Sequence, residues 1–260
     1  MVAEILSLAS ITDNLGTNFI GQRVIYYPRL ASTMAAAREE AQRGAAEGTV
    51  IVAGEQTAGK GRMERVWLSP RGSIALSVIL YPAVPYLSYL IMLASLAVVH
   101  SIKAVTGLES QIKWPNDVLI DGKKVCGILI ESGVRGGEVA YSILGIGINV
   151  NVKVSDFPEI LSIATSLSGE LGREVSRVDV IRCLLVAMER LYLALPGGTV
   201  YEEWRDRLVT LGKKVQVRSG ITVLEGIAES VARDGSLLLR QSNGSSTRIV
   251  AGDVTLRDFE

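Results

Sequence analysis

The sequence predicts an α+β fold, in which a central mixed β-sheet is flanked by helices and a small β-barrel follows at the C-terminus. Three observations predict it. Apolar runs typical of buried strands occur at 49–53, 74–80 and 138–148. Segments with helical periodicity alternate with them, at 34–41, 86–105 and 178–195. From Gly212 onward, short alternating runs are separated by turn residues.

In the first part of the chain, the predicted elements frame one long loop. A strand at 24–27 leads to the helix at 34–41, which has Ser32 or Thr33 as its N-cap. From this segment alone, a hydroxyl that only caps the helix is favoured, although a helix N-terminus also receives polar ligand groups. Gly44 and Gly48 end the helix, and the loop at 54–72 then joins two strands.

This loop combines glycines with cations, a composition that suits an anionic ligand. Its three glycines let the backbone approach a ligand closely, and Lys60, Arg62 and Arg65 supply positive charge. A P-loop is excluded because Arg62 follows Gly61 where Lys is required, and because a strand follows the loop. The glycine and lysine content alone would favour a solvated, flexible surface loop. Trp67, however, is better explained as a wall or lid over a ligand.

Two further stretches carry candidate site residues. Pro115 predicts a bend at 114–117, and Asp121-Gly122 predicts a hairpin that returns Lys124 beside Asp117. Spacing alone equally allows a solvated lysine and a turn aspartate. Glycines alternate in the strand that ends at 148, which is typical of a sheet surface against which a ligand lies flat. The residues concerned are Gly145 and Gly147, with Asn149 following the strand.

The remaining segments are predicted to be structural. Helices are expected at 162–171, 178–195 and 200–211, and barrel strands at 214–217, 222–228, 236–240 and 247–250. The chain is therefore divided into a larger domain at 1–211 and a β-barrel domain at 212–260.

Composition excludes several classes of function. The chain has 27 Lys and Arg residues and 27 Asp and Glu residues, so its net charge gives no sign of nucleic-acid or membrane binding. Residues 1–16 lack an export signal, the apolar run at 86–99 is too short to span a bilayer, and a cytoplasmic protein is expected.

Cys126 and Cys183 are expected to be reduced, packed thiols. The single histidine, His100, is expected to be packed or capping, so any chemistry relies on Lys, Arg, carboxylates and amides.

Four motifs of this sequence together resemble those of the biotin protein ligase family. They are the loop at 54–72, Lys113-Trp114-Pro115-Asn116-Asp117, Lys124, and Gly145 to Asn151. The resemblance runs from about residue 24 to the C-terminus. It implies a class II synthetase-like catalytic domain with an SH3-like barrel. It also implies a C–N bond-forming ligase that uses biotin, ATP and Mg²⁺. Biotin and ATP give biotinyl-5′-AMP, and a lysine of a biotin carboxyl carrier protein then takes the biotin.

The resemblance also implies roles for individual residues, three of which are catalytic: Lys124, Arg62 and Asp117. Asp117 is expected to orient the incoming amine or act as its base, and is a possible Mg²⁺ ligand. The implied biotin-binding residues are Ser32, Thr33, Gln56, Gly59, Lys60, Gly61, Arg62, Lys124, Gly127, Gly145 and Gly147. The implied adenylate-binding residues are Arg62, Arg65, Trp67, Asn116, Lys124 and Asn149.

The sequence departs from the family at two positions. Lys60 stands where Arg is more frequent, which loses a guanidinium fork, and Met34 replaces a common Asn. About twenty residues precede the first strand, so an enzyme without a DNA-binding domain is expected, with a homodimer as its assembly. Two alternatives stay open: a lipoate or octanoate protein ligase, and a non-catalytic biotin-binding sensor. Loss of Lys124, Arg62 or Asp117 would mark the sensor, and all three are present.

Overall fold

The structure is a computed structural model that describes residues 6–256, without the side chains at 64 and 219. Residues 1–5 of the predicted N-terminal stretch and residues 257–260 of the predicted barrel domain lie outside the described residues. Within the described part, the chain forms two sheets and six helices whose buried side chains share one main core.

The first sheet is mixed, as predicted. Its strands are β1 (Val24–Tyr27), β2 (Val50–Ala53), β3 (Ile74–Leu80), β4 (Gln111–Lys113), β5 (Asp117–Ile120), β6 (Lys123–Arg135) and β7 (Glu138–Ile148). They lie in the order β1-β2-β3-β7-β6-β5-β4, with β1 and β2 parallel and the other neighbours antiparallel. At the β5–β6 turn, Asp121 and Gly122 both have positive φ, which confirms the predicted hairpin.

Helices cover this sheet on both faces. They are α1 (Leu8–Thr12), α2 (Thr33–Gln42), α3 (Tyr89–Thr106), α4 (Leu167–Leu171), α5 (Arg177–Leu193) and α6 (Thr199–Asp206). Ile51 points into a small core beneath α2, whereas its neighbours Val50 and Val52 point into the main core. Because both faces are buried, the central strands are continuous apolar runs rather than alternating ones.

Helix α3 is the long apolar helix of the main core. Within residues 6–256 it is the one helix whose length and composition would suit a membrane span, yet 61% of that apolar window is buried in the protein. It packs against α5 and α6. The prediction of a buried core helix at this position is therefore confirmed.

The second sheet forms the C-terminal β domain and is fully antiparallel. Its strands are β8 (Lys214–Ser219), β9 (Thr222–Val231), β10 (Leu237–Arg240), β11 (Ser246–Ile249) and β12 (Asp253–Leu256), in the order β11-β10-β9-β8-β12. It joins the first part through hydrogen bonds: Trp114 Nε1 donates to Gly235 O at 2.8 Å, and Tyr201 OH donates to Val231 O at 2.6 Å. The last strand, β12, was not predicted.

Two predicted helices are longer than the observed ones. The prediction of a helix at 162–171 is wrong in its first half, because α4 begins only at Leu167, where Ser166 caps it by accepting from Gly169 N. The prediction of a helix at 200–211 is wrong at its end. Helix α6 stops at Asp206, and the chain then runs beside β4, where Ile112 N donates to Arg207 O.

A buried carboxylate fixes the segment before β1. Glu189, on α5 and 5% exposed, accepts the main-chain N–H groups of Asn18, Phe19 and Ile20 at 2.6 to 2.9 Å. Burial opposes ionisation, but these hydrogen bonds and a fourth from the Asn18 side chain outweigh it, and the pKa of Glu189 lies below its ordinary value. The ionised carboxylate therefore stabilises the fold.

Candidate active site

The loop between β2 and β3 folds back on itself as an irregular hairpin. Gly61 N donates to Arg65 O at 2.7 Å and Trp67 N donates to Gly59 O at 2.9 Å, so the loop is held by its own main chain. A Cβ at Gly59 would lie 2.4 Å from Trp67 O, so only glycine fits there. The cationic side chains are thus carried on a defined turn.

A cavity of about 240 Å³ lies between this loop, the first sheet and the C-terminal sheet. It brings together residues from all the motifs singled out in the sequence. The predicted site residues that line it are Ser32, Thr33, Gln56, Lys60, Gly61, Arg62, Arg65, Trp67, Asn116, Asp117, Lys124, Gly127, Gly145, Gly147 and Asn149. Gly59 does not line it, because it is buried against the main chain of the loop.

One part of the cavity wall is lined by hydroxyl and amide groups. Gln56 Oε1 accepts from Thr33 N at 2.8 Å and from Thr33 Oγ1 at 3.1 Å, and Thr33 Oγ1 accepts from Ser77 Oγ at 2.8 Å. Ser32 is the N-cap of α2, but its side chain makes no cap hydrogen bond, and its buried Oγ has no partner. The cap does not account for this hydroxyl, which is available to a ligand.

The glycines of β6 and β7 make room for the protein's own side chains. Gly127 and Gly147 are cross-strand partners, and a Cβ at Gly147 would lie 2.2 Å from Trp67 Nε1. A Cβ at Gly145 would lie 2.5 Å from the sulfur of Met34. The expectation of a bare sheet surface for a flat ligand is therefore incomplete. The indole of Trp67 lies on Gly127 and Gly147 and forms a cavity wall, with its buried Nε1 unpartnered.

Lys124 and Asp117 meet inside the cavity. A bulge in the β5–β6 pairing brings Lys124 Nζ to 2.6 Å from Asp117 Oδ1 and to 5.3 Å from the centroid of the Trp67 ring. Lys113 lies opposite Asp117 on β4, and burial lowers its pKa below the ordinary value, while Asp117 opposes that shift. A second cation thus flanks the same carboxylate.

Arg62 connects the loop to both sheets. Its Nη1 donates to Asn116 Oδ1 at 3.0 Å and to Gly252 O at 3.2 Å. Burial lowers the pKa of the guanidinium from its ordinary value, and the charges of Asp253 and Asp117 oppose that shift. The second arginine of the loop, Arg65, forms an ion pair with Asp253. The C-terminal sheet therefore takes part in the cavity wall.

Several lining residues were missed by sequence reasoning. Ile163 and Ala164 come from the segment that was predicted as the start of a helix, Ile160 comes from just before that segment, and Asp253 comes from the strand that was not predicted. The irregular segment is tied to the sheet by its main chain. Lys124 N donates to Ile163 O at 2.8 Å, and Thr165 N donates to Lys124 O at 2.9 Å. The sequence carries no local signal for this arrangement, because these hydrogen bonds join residues that are far apart in the chain.

Asn149 anchors the same segment. Its Nδ2 donates to Thr165 O at 3.0 Å, and its main-chain oxygen accepts from Leu167 N at 2.9 Å. It is 4% exposed and lines the cavity. The structure therefore gives this predicted site residue a structural role at the end of β7.

His100 lies outside the cavity, in α3. Its Nδ1 faces Arg190 Nη2 at 2.9 Å, and its Nε2 faces Glu203 Oε1 at 2.6 Å. Because a guanidinium can only donate, Nδ1 accepts and the proton of the neutral ring lies on Nε2. The histidine joins α3 to α5 and α6. Cys126, buried, and Cys183, half-buried, are both free thiols.

Fold and cavity together define an α+β ligand-binding enzyme domain, with a cationic loop at the site and a C-terminal β domain beside it. Comparison with known proteins specifies the family. Residues 26–149 match the biotin/lipoate A/B protein ligase family, and residues 210–257 match the biotin protein ligase C terminal domain.

Two relatives cover most of the chain. The bifunctional ligase/repressor BirA of Bacillus subtilis is 40% identical over 258 residues, which are 96% of this chain and 79% of that protein. The biotin–[acetyl-CoA-carboxylase] ligase of Paracoccus denitrificans is 33% identical over 207 residues, which are 75% of this chain and 85% of that protein. This chain belongs to the biotin protein ligase family.

Solved structures agree with this assignment. The biotin protein ligase from Aquifex aeolicus in complex with biotin and ATP superposes with a TM-score of 0.76 at 27% identity, over 91% of this chain and 99% of that one. A mutant of the same ligase in complex with biotin gives a TM-score of 0.77 at 27% identity, over 91% of this chain and 98% of that one. The predicted α+β class, with its mixed sheet and C-terminal β domain, is confirmed.

Proposed function

We propose that this chain is an ATP-dependent biotin protein ligase. It activates biotin with ATP to biotinyl-5′-AMP and transfers the biotin to a lysine of a biotin carboxyl carrier protein. One observation carries the proposal: a single cavity holds a hydroxyl–amide cluster, a lysine–aspartate pair and an arginine, contributed by separate stretches of the chain. Relatives named as biotin ligases, and a relative structure bound to biotin and ATP, support it.

Biotin is assigned to the hydroxyl–amide part of the cavity. A ureido ring presents both donors and acceptors, and the free Ser32 hydroxyl and the Thr33–Gln56 pair offer matching groups. The indole of Trp67, which lies against Gly127 and Gly147, supplies an apolar wall for the hydrocarbon part of the ligand. The biotin carboxylate then points toward the cationic part of the cavity.

The first step brings two anions together. A carboxylate oxygen attacks the α-phosphorus of ATP, the bond to the β-phosphate breaks, and pyrophosphate leaves. Lys124 and Arg62 offset the repulsion and stabilise the charge that develops on the phosphate oxygens. Arg65 and Lys60 extend the positive field toward the mouth of the cavity.

Mg²⁺ is assigned to the phosphates, because the protein offers few metal ligands. Among residues 6–256, no group of three or more His, Cys, Asp or Glu side chains is arranged to hold a metal ion. Asp117 is the carboxylate that could add a ligand, but it is already paired with Lys124. Bound through ATP, Mg²⁺ would neutralise phosphate charge.

In the second step, the carrier lysine attacks the acyl carbon of biotinyl-5′-AMP. The amide C–N bond forms, the bond from the acyl carbon to the phosphate oxygen breaks, and AMP leaves with that electron pair. The amine must lose a proton, and Asp117 is assigned to orient the amine or accept this proton. Lys124 holds Asp117 on the cavity wall.

ATP-dependent pyrophosphate release tests the function. Purified protein with Mg²⁺ is given biotin, lipoate or octanoate in parallel. Release with biotin alone is the expected result. Release with lipoate or octanoate would move the chain to the sister activity, whereas biotin binding without release would identify a sensor.

The remaining expectations are part of the same proposal. We infer a division into a catalytic domain at 1–211 and a β domain at 212–260, a cytoplasmic location and no nucleic-acid partner. The equal numbers of cationic and acidic side chains support the last point. A homodimer joined through sheet edges is also proposed. Strands β1 and β4 end the first sheet, and analytical ultracentrifugation would test the assembly.

A further inference from the structure

A buried serine interrupts the apolar strand β3. Ser77 is the single polar residue of this strand and is 0% exposed. Ile79, two residues further along and therefore on the same face of the sheet, enters the small core beneath α2. A hydroxyl group in such surroundings is costly unless it forms a hydrogen bond. The hydrogen bond that Ser77 makes is therefore needed to keep a serine at this position.

Ser77 is connected to the cavity through Thr33. Ser77 Oγ donates to Thr33 Oγ1 at 2.8 Å, and Thr33 Oγ1 donates to Gln56 Oε1 at 3.1 Å. Thr33 and Gln56 are among the described residues that line the cavity, whereas Ser77 lies behind that lining. Any effect of Ser77 on a ligand must therefore pass through Thr33.

The main chain of Thr33 fixes the direction of this chain of hydrogen bonds. Thr33 N can only donate, and it lies 2.8 Å from the side-chain amide of Gln56, so the atom that faces it is the oxygen Oε1. Gln56 Nε2 then points toward the loop, where a Cβ at Gly59 would lie 3.1 Å from it. The orientation of the Gln56 amide is thus set by a donor that cannot reverse.

Ser77 in turn fixes the hydroxyl group of Thr33, which carries one hydrogen and two lone pairs. If this hydrogen pointed to Ser77 instead, the hydrogen of Ser77 would lack an acceptor, since Thr33 Oγ1 is the partner that Ser77 Oγ has among residues 6–256. The hydrogen of Thr33 is therefore committed to Gln56. One lone pair of Thr33 Oγ1 accepts from Ser77, and the other remains for a ligand.

This part of the cavity wall consequently offers an acceptor at Thr33 and the amide N–H groups of Gln56. An N–H group adjacent to a carbonyl, as in a ureido ring, matches such a pair. The alkyl end of octanoate and the dithiolane end of lipoate have neither group. Their binding would leave the polar wall without partners, which is unfavourable.

We infer that Ser77 is a positioning residue, which makes the cavity selective for a ligand that carries an N–H group beside a carbonyl. It acts by holding the Thr33 hydroxyl as a donor to Gln56 and hence as an acceptor toward the ligand. The inference rests on the proposed function, and it assigns the choice of biotin over lipoate and octanoate to this chain of hydrogen bonds.

The test separates positioning from a purely structural contact between β3 and α2. Ser77→Ala removes the donor, and Ser77→Cys keeps the size of the side chain with a weaker donor. Ser142→Ala is the matched control, because Ser142 is equally buried, lies on the neighbouring strand β7 and forms a hydrogen bond with Ser132 Oγ. The measured quantities are kcat and the KM values for biotin and ATP in pyrophosphate release, the Kd of biotin by calorimetry, and the free energy of unfolding by urea.

Ser77→Ala is expected to raise the Kd and KM of biotin about fivefold, the loss typical of one hydrogen bond, and to leave kcat and the KM for ATP unchanged. Ser77→Cys should give a smaller increase, and Ser142→Ala should bind biotin as the wild type does. Thr33→Val removes the group through which Ser77 acts. Adding Ser77→Ala to Thr33→Val should therefore raise the KM for biotin no further. Desthiobiotin, which keeps the ureido ring, should lose affinity for Ser77→Ala by the same factor as biotin.

The possible failures are distinguishable. No biotin-dependent pyrophosphate release from the wild-type protein would overturn the proposed function and the positioning inference together. With release intact, an unchanged Kd of biotin in Ser77→Ala would overturn the positioning inference alone. A loss of biotin affinity that persists in the Thr33→Val background, or that comes with an equal change in the KM for ATP, would identify a general structural defect and also overturn it. If Ser77→Ala is too unstable to assay, the same criteria apply to Ser77→Cys.

Discussion

Replacing Gly147 by alanine should displace Trp67 from the cavity wall. The added methyl would lie 2.2 Å from Nε1 and 2.5 Å from Cε2 of the indole, where ordinary contact begins at 3.4 Å. The ring must therefore retreat by about 1.2 Å or rotate away, because contacts between heavy atoms at such distances are strongly repulsive. Overpacking of this kind costs about 1–3 kcal/mol. If that cost falls on the ligand-binding state, activity decreases by about 5- to 150-fold.

Two assays report the displacement. Biotin-dependent pyrophosphate release measures the activity, and tryptophan fluorescence measures the environment of the indole. The protein has three tryptophans, of which Trp114 and Trp204 are fully buried, so a red shift in emission would come from Trp67. Gly197→Ala is the control, because a Cβ there meets no heavy atom within 4 Å.

A double-mutant cycle isolates the mechanism. If the methyl acts only by expelling the indole, Gly147→Ala combined with Trp67→Ala should cost no more than Trp67→Ala alone. Wild-type activity together with unchanged emission in Gly147→Ala would refute the reasoning, because it would mean that the indole does not need the space above this glycine.

Three further substitutions test the site and the fold. Lys124→Ala should slow single-turnover adenylate formation by about 10²- to 10³-fold, since it removes a cation aimed at developing charge. Lys103→Ala, an exposed lysine of α3, is the control, and an unchanged rate in Lys124→Ala would exclude this role. Arg62→Gly should release biotinyl-5′-AMP faster, because the loop loses its hydrogen bonds across the cavity; release no faster than wild type would contradict this. Glu189 has a pKa below its ordinary value of 4.5, so its stabilisation is complete above that pH and is lost as pH falls through the lower native value. Glu189→Gln should therefore lose less stability in acid than the wild type, when the free energy of unfolding is measured with urea at each pH. Equal losses in the two proteins would contradict the stabilising role of the Glu189 carboxylate.

The strands of the first sheet were predictable because their pattern follows from burial on both faces. Val50 and Ile51 enter different cores, so apolar side chains are required at consecutive positions. The Asp121-Gly122 turn was equally predictable, since few other residues adopt two successive positive φ values. In both cases the determining interactions are local or nearly so.

The irregular segment before α4 was not predictable from local pattern. Its main chain binds Lys124 across a large separation in sequence, and these hydrogen bonds replace the ones that a helix would make. The part played by Asp253 was hidden for the same reason, because Arg65 reaches it only after both sheets have formed. The glycines of β7 were correctly placed at the cavity, but sequence alone could not tell that Trp67 and Met34 lie against them.

The cavity also explains how a chain with no net charge can bind anionic substrates. Lys124 is held by Asp117 and Arg65 by Asp253, whereas Arg62 donates to the neutral oxygens of Asn116 and Gly252. The carboxylate of Asp253 is 4.0 Å from Arg62. Arg62 is thus fixed in position with its charge only partly compensated, and a fixed charge needs no reorganisation when a phosphate anion develops beside it. The carboxylates that balance the composition hold the other cations in place around it, so the positive field is confined to the site.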